Sequence, residues 1–422
     1  MANLFDVSTL VAQAMTEFFF QKSPLLNTAN REYVEQFAQQ EYMTGGTINI
    51  KIPGYAAVEN GLSVSATDIQ DLIVPYTITT NDIYNVTRNL NLFEQRFDIR
   101  GGTNALTKPQ KKAIVDNYAY PAFQALEAAI ETTAANRLLT TAYFSPVDLP
   151  SKLAPVNTFS SISQVSEMMD YLKLDQSNRV IMMNITDARR IADSLQNMFN
   201  SAINQGITMN ARVGGPDKGH LAGFDMFQST ELLTHTAGAL GAITSGITVS
   251  SVNAGGTTIT LTGVTSTTSQ LVNAGDRFAI PSVNILSPVN GNVLPYGLVV
   301  TAATNANGDG AGNVTITISY PLMASGEHAN VTAIPSNGAT VLSFPSYKMN
   351  FAYVPSGLSA VPLMLGDIFG ATNSDAKGDN KCPVKVVAQG SVSSFSNIFR
   401  IAMLVGVQAF APYVVALPSS IS

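Results

Sequence analysis

The most constraining feature of this sequence is a stretch of 130 residues, 221–350, that contains only seven charged side chains. Threonine, serine, glycine, asparagine and valine dominate it. Short alternating runs at 246–249, 257–262 and 314–318 are separated by glycine and asparagine turns. This pattern is typical of a small antiparallel barrel or sandwich. We therefore predict an all-β, barrel-like domain over residues 234–341.

Helices and strands mix on both sides of this segment. The pattern before it predicts a helix over 165–172, a buried strand over 179–183 and a helix over 187–203. Mixed elements resume after residue 347. The barrel-like domain therefore interrupts an α+β body, as insertions that fall in surface loops do.

A long helix is predicted over residues 108–143. Thr107 can cap its start, and Pro109 lies in the first turn, where a missing N–H costs nothing. Pro121 falls in the interior, where a proline costs about 3 kcal/mol and bends the helix. Apolar residues recur every four positions and form one stripe: Ile114, Tyr118, Ala122, Leu126, Ile130, Ala134 and Leu138.

Several apolar or extended segments have no evident partner within the chain that would bury them. The first forty residues look helical, with apolar residues at helical spacing that lead into a run of three phenylalanines. Alternating runs at 47–52 and 72–78 predict a long two-stranded ribbon, which is marginal in water unless it lies against another chain or domain. We expect these segments and a small basic cluster to form intersubunit contacts. The candidate residues are Phe18, Phe19, Phe20, Lys51, Ile52, Pro53, Tyr55, Asn60, Lys111 and Lys112.

Composition narrows the function classes. Charged residues make up 12% and hydrophobic residues 45%, which excludes a disordered chain and suggests that much of the surface meets other protein. The net charge of -6 argues against wrapped nucleic acid. The one cysteine, Cys382, cannot form an internal disulfide, and the start of the chain lacks the basic region of a secretory signal. We expect synthesis in a reducing cytoplasm.

The apolar stretch at residues 401–417 approaches the length of a membrane helix. It contains Gln408 and Pro412, and its valines and aromatics suit strands. Two short core strands joined through residues 411–412 are the better interpretation.

The sequence offers no recognisable catalytic, cofactor or metal site. The histidines, His220, His235 and His328, lack the context of a catalytic triad and are predicted in loops. The glycine-rich loop at 214–220 matches no phosphate-binding order. Residues 305–310 imitate half of a calcium loop, but Ile316 stands where a bidentate glutamate is required, so a hairpin turn is predicted. We expect no enzyme activity and no cofactor.

The order of elements resembles the Hong Kong-type capsid fold shared by tailed phages and herpesviruses. The likeness is strongest to the coat proteins of short-tailed Salmonella-type phages, which carry an inserted β-barrel domain. Three local stretches carry it: residues 222–225 followed by 246–250, which resemble the entry to the insertion; 275–278, which resembles a strand start; and the closing strands around 400–412. Between Val249 and Thr257 this chain has only the short turn 253–256, where relatives can carry a longer charged loop that reaches a neighbour.

The resemblance implies a division of the chain into six parts. An N-terminal arm takes residues 1–44 and an extended hairpin loop 45–80. A peripheral domain with a long spine helix takes 81–150, and the first part of an axial α+β domain takes 151–233. The inserted β-domain takes 234–341, and return strands of the axial and peripheral domains take 342–422.

The resemblance also implies a function. The chain is expected to be a structural subunit of an icosahedral phage capsid, which assembles as hexamers and pentamers into a procapsid and a mature head around double-stranded DNA. Expected partners are many copies of itself, a scaffolding protein acting in trans, a portal protein and decoration proteins, with weak DNA contact and no membrane. It would be made in the host bacterial cytoplasm and reside in the virion.

A second class fits the Thr/Gly/Asn-rich segment: a β-rich phage tail, adhesin or surface-layer structural protein. That alternative leaves the long helix unexplained, and the start of the chain lacks a secretion signal.

Overall fold

The computed structural model of the protein describes residues 23–39, 46–52, 54, 71–91, 120–195, 219–243, 245–264, 270–287, 289–369, 371–377, 383–391 and 396–421. The α-helices of these residues are α1 (Pro24–Thr28), α2 (Val34–Gln39), α3 (Tyr120–Thr141), α4 (Phe159–Tyr171) and α5 (Ile185–Leu195). Their strands are β1 (Thr47–Ile52), β2 (Leu72–Thr77), β3 (Ile83–Asn91), β4 (Val180–Asn184), β5 (Gly219–Leu221), β6 (Phe224–Ser229), β7 (Thr234–His235), β8 (Ile247–Val252), β9 (Thr258–Thr262), β10 (Gln270–Val272), β11 (Arg277–Leu286), β12 (Val293–Thr301), β13 (Ala306–Asn307), β14 (Asn313–Thr317), β15 (Thr340–Ser343), β16 (Tyr347–Lys348), β17 (Phe351–Tyr353), β18 (Leu358–Leu363), β19 (Thr372–Lys377), β20 (Pro383–Ser391), β21 (Ser396–Ala409), β22 (Val414–Ala416) and β23 (Ser419–Ser420).

The chain divides into two compact units. The described residues of the first lie within Met1–Asn49, Pro75–Ala134 and Ser359–Gln408; those of the second lie within Ile50–Val74, Ala135–Leu358 and Ala409–Ser422. Helix α3 contributes residues to both. Neither unit is continuous in sequence, which agrees with an α+β body whose segments leave and return.

The first unit is built on a sheet in the order β18-β21-β20-β19, with β3 antiparallel to β21. The hydroxyl of Tyr76 donates to the Gly406 carbonyl at 2.9 Å, and the Tyr76 ring contacts that of Phe37 edge-on at 5.2 Å. A Cβ at Gly406 would lie 2.5 Å from the Ile78 side chain, so only glycine allows this approach. These contacts fix the base of the ribbon on the long strand β21.

Helix α3 carries the predicted apolar stripe. Its members within the described residues are all buried: Ala122, Leu126, Ile130, Ala134 and Leu138. In the first unit Glu131 accepts from the Leu25 amide at 3.2 Å, and Tyr84 donates to Thr133 at 2.9 Å. Tyr120 is the first described residue of this helix, and the predicted stretch before it falls outside the described residues, so the bend expected at Pro121 stays a prediction.

The predicted ribbon is present as the two-stranded sheet of β1 and β2. The hydroxyls of Thr47 and Thr77 lie 2.9 Å apart near one end, and Lys51 pairs with Asp71 at 3.4 Å near the other. Strand β1 alternates strictly, with its three isoleucines buried and its threonine, asparagine and lysine exposed. One face of the ribbon is therefore covered by the chain itself.

The body of the second unit contains the sheet β22-β17-β4-β6-β5. Strands β4 and β6 are parallel and are connected through α5, and β5 joins β6 through a two-residue turn in which Ala222 and Gly223 both have positive φ. Residues 222–225, which resemble the entry to an insertion, belong to this body sheet. The first strand of the following segment is β7, about ten residues later.

The low-charge segment forms an antiparallel sheet in the order β12-β11-β15-β8-β9-β14, beside the pair β10-β13. A bridge between Ala302 and Ile318 joins the chain just beyond the two edge strands, β12 and β14. The sheet therefore curls back on itself, while the barrel-like domain as predicted over 234–341 stays a prediction. Asp309 accepts from the amides of Ala311 and Asn313, so the calcium-like sequence is a turn, as predicted.

The two ends of this segment meet. Strand β16 lies between β7 and β23, with Tyr347 opposite both His235 and Ser420. An insertion requires such a return to one place. The boundaries 234 and 341 remain predictions, as do the other domain limits. One hydrophobic core runs from body residues such as Phe144 and Met168 into segment residues such as Val249 and Ile316.

At the end of the chain, two strands joined by a 3-10 turn at Ala411–Tyr413 are found as predicted, but the first of them, β21, is a long strand of 14 residues rather than a short one. No helix within the described residues is long and apolar enough to cross a membrane.

Candidate assembly surfaces

The histidines in β5 and β7, His220 and His235, were predicted in loops, and both predictions are wrong. His235 is a buried strand residue whose Nε2 lies 2.7 Å from Oδ1 of Asp276, which is 2% exposed. The Asp276 carboxylate also accepts from the amides of Gly238 at 3.0 Å and Asn273 at 2.8 Å. The pair ties the turn before β11 to the entry strand, which is a structural task.

Tyr347 completes this junction from the exit strand. Its ring lies 5.1 Å from that of His235, and its hydroxyl donates to the Gly275 carbonyl at 2.8 Å. Burial raises the pKa of Tyr347 to about 12, against the opposing effect of the nearby Arg277 guanidinium. Within the described residues, no group of three or more histidine, cysteine, aspartate or glutamate side chains could hold a metal ion.

The inserted segment caps the C-terminus of α3. Arg277 donates from Nη2 to the Ala142 carbonyl at 3.0 Å, and the Thr301 hydroxyl donates to the same oxygen at 2.9 Å. The Ser319 hydroxyl reaches the Thr141 carbonyl at 3.3 Å. The last carbonyls of a helix lack intrahelical partners and carry partial negative charge, so hydroxyls and a cation suit them. This dependence on the segment was not visible in the sequence.

Charge is nearly absent from the surface of residues 221–350. Of its seven charged side chains, Asp276, Arg277 and Lys348 are buried, Asp225, Glu231 and Glu327 are partly buried, and Asp309 is exposed. Hydrogen bonds from the Asn313 side chain and backbone hold the pKa of Asp309 below its usual range. The exposed residues of this region are mostly threonine, serine, asparagine and glycine.

Of the ten predicted contact residues, two lie within the described part of the chain. Lys51 is exposed on β1, while Ile52 is 7% exposed and covered by the chain's own residues. Ile52 is therefore a core residue of the ribbon, and the outward face that carries Lys51 is the one available to a partner. The other eight lie outside the described residues: Phe18, Phe19, Phe20, Pro53, Tyr55, Asn60, Lys111 and Lys112.

An open groove of about 500 Å³ lies along α4 in the second unit. Phe159 and Tyr171 line it together with Glu167, Asp170 and Lys173. Its mixed charges and wide opening favour a contact with protein over a buried small molecule.

Exposed apolar side chains mark further surfaces. The large ones in the described residues are Ile73, Tyr171, Leu233, Val289, Val293, Ile334, Met364, Ile368, Phe369, Ile398 and Ile421. Most are separated from one another in the sequence, and single exposed apolar side chains are normal on protein surfaces. Three of them occur within six residues, at 364–369.

Comparison with known proteins identifies a family. The family model described as "P22 coat protein - gene protein 5" matches residues 2–418. No curated protein sequence matches significantly. A Mycobacterium phage Che8 structure is similar at 13% identity over 94% of this chain and 90% of that chain, with a TM-score of 0.46. The capsid of cyanophage P-SCSP1u is similar at 11% identity over 90% and 85%, with a TM-score of 0.40. The identification rests on the family match.

Proposed function

The chain belongs to the P22 coat protein family, and from this membership we propose that it builds the closed icosahedral head of a tailed phage from hexamers and pentamers. As a coat protein it is a structural subunit of a phage capsid. The family match spans nearly the whole chain and thereby disfavours the alternative of a tail, adhesin or surface-layer protein. The observation that carries the proposal is this match over residues 2–418, and the mixed α+β fold is consistent with it.

The outward face of the ribbon is the first proposed contact between copies. Strand β1 exposes Lys51 on the side opposite its buried isoleucines. A closed shell requires each chain to make several different contacts, and an arm or ribbon that reaches a neighbour supplies one of them. We assign the same role to the apolar arm with Phe18–Phe20 and to the turn with Pro53, Tyr55 and Asn60.

The finer partners follow from the same proposal. A scaffolding protein in trans, a portal protein and decoration proteins would complete the head, which forms in the host cytoplasm without enzyme activity of this chain. Packaged double-stranded DNA would be held weakly, since the net charge of -6 offers few phosphate contacts. We propose that Lys111 and Lys112 meet acidic groups on a neighbouring protein.

Electron microscopy of the expressed chain tests the proposal. The full chain should be produced in bacteria alone and with candidate scaffolding and portal proteins from the same genome, and particles should be examined by negative stain. Closed shells of repeating capsomers are the expected product. Fibres, flat lattices or only monomers under every condition would contradict it.

A further inference from the structure

The loop that follows β18 exposes three large apolar side chains in six residues. Met364 is 42% exposed, Ile368 44% and Phe369 103%, which places the phenylalanine ring wholly in solvent. Burying a phenylalanine side chain lowers the free energy more than burying most other side chains, so its exposure is unfavourable. We call these three residues the apolar knob.

Two polar side chains brace the backbone that carries the knob. The Lys385 ammonium, on a side chain 4% exposed, donates to the Leu365 carbonyl at 3.0 Å and pairs with Asp367. The Asn373 amide accepts from the Ile368 N–H at 3.1 Å and donates to the Ile368 carbonyl at 3.0 Å. The loop is thus ordered while its apolar side chains point outward.

This combination favours a preformed contact. Ordering a loop costs conformational entropy. Because hydrogen bonds already order this loop in the free subunit, binding of a partner loses less entropy. Asp367 is paired with Lys385, so the loop carries no surplus of positive charge for phosphate groups. An apolar protein surface suits it better than nucleic acid.

We propose that the apolar knob docks onto a second copy of this chain in the assembled shell. The inference rests on the proposed function, because a coat subunit is surrounded chiefly by further copies of itself. Phe369 enters the neighbour, and Met364 and Ile368 seal the rim, in the way that a central aromatic anchor works in other interfaces. The brace through Asn373 keeps the anchor positioned.

Photo-cross-linking in mixed shells identifies the occupant. A photoreactive phenylalanine analogue at position 369 should be incorporated into the full chain, and shells should be assembled from equal amounts of ordinary and ¹⁵N-labelled protein. Cross-linked peptide pairs that join one light and one heavy peptide of this chain are expected. Cross-links confined to one copy, to a different protein, or to no protein would overturn the assignment.

Substitution measures the contact independently. Phe369→Asp should lower the yield of shells at least tenfold, while Phe369→Leu should retain most of the yield. Because the ring is fully exposed in the subunit, neither variant should alter the circular dichroism or melting of the unassembled protein. Asn373→Ala should lower the yield less than Phe369→Asp does.

The two proposals fail in different ways. Shells that form equally well with Phe369→Asp would overturn the knob contact and leave the proposed function intact. If the unaltered chain forms no shells with any candidate partner, both proposals fall.

Discussion

Asp276 is the charged side chain on which the junction of the inserted segment most directly depends. It is buried, and its two oxygens serve His235 and the amides of Gly238 and Asn273. We expect Asp276→Asn to lower the free energy of unfolding by about 2–4 kcal/mol, because buried donors lose a charged acceptor. Urea unfolding of the monomer, followed by circular dichroism, measures the change.

Asp309→Asn is the matched control for Asp276→Asn. Asp309 also accepts backbone amides in a turn of the same segment, but it lies in solvent, and asparagine can replace it in such a turn. The control should unfold at nearly the wild-type urea concentration. If both substitutions lowered the free energy of unfolding equally, the burial of Asp276 would have no special effect.

The raised pKa of Tyr347 predicts that the stability of the folded protein falls at alkaline pH. Its pKa rises from 10.0 to about 12 on burial, so the folded protein holds this proton where the unfolded chain releases it. The associated stability is present below pH 10 and is lost as the pH rises toward 12, by up to about 3 kcal/mol for a shift of this size. Urea unfolding at pH 8 and pH 11 measures the loss.

Tyr347→Phe isolates the contribution of that phenol. The variant loses the hydrogen bond to Gly275 at both pH values and should show a smaller difference between them. Absorbance titration of the two proteins should differ by one tyrosine that ionises late. An identical pH dependence in both would exclude Tyr347 as the cause.

At the scale of elements, the contact of the inserted segment with α3 is tight at Gly275. Its φ is +98°, and a Cβ there would lie 2.6 Å from the Leu139 side chain. Gly275→Ala should destabilise the protein by about 2–3 kcal/mol, through backbone strain and displacement of Leu139. Thermal unfolding measured by circular dichroism provides the test.

Gly291→Ala separates strain from packing. Gly291 also has a positive φ, +65°, but a Cβ there would meet nothing within 4 Å. Its substitution should cost only about 1 kcal/mol. A loss as large as that of Gly275→Ala would mean that the contact with Leu139 contributes nothing.

At the scale of the whole molecule, the ribbon provides the sharpest test of assembly. Removing residues 53–64 shortens the connection between β1 and β2 but leaves the buried isoleucines of β1 in place. We expect a soluble monomer with near-native helix content by circular dichroism and no closed shells in negative stain. Normal assembly of the deletion variant would contradict an intersubunit role for this part of the chain.

Local patterns predicted much of the fold. The stripe of α3, the alternation of β1 and the strands of the inserted segment follow from side-chain spacing, which is a local property. The partnership of His235 with Asp276 spans 41 residues, and the capping of Ala142 by Arg277 spans 135, so neither has a local signature. The continuity of the core from Phe144 to Val249 is hidden for the same reason.

The contact surfaces were predicted less completely. The apolar sequence pattern indicates which segments must be buried by something. It does not distinguish Ile52, which the chain's own residues bury, from Phe369, which is exposed to solvent. Both residues are apolar in sequence, and only the packing of distant segments decides their exposure. The loop at 364–369 carries no periodic pattern that would have singled it out.

The near absence of surface charge on residues 221–350 has a colloidal consequence. Repulsion between like-charged particles fades as ions shorten the Debye length, to about 3 Å in molar salt. Hydroxyl and amide groups hold water without counterions, so a face built from them behaves as a neutral hydrophilic coating whose hydration is insensitive to ionic strength. Wherever this face lies toward the medium, particles built from the chain should stay dispersed in brines that precipitate charge-stabilised ones.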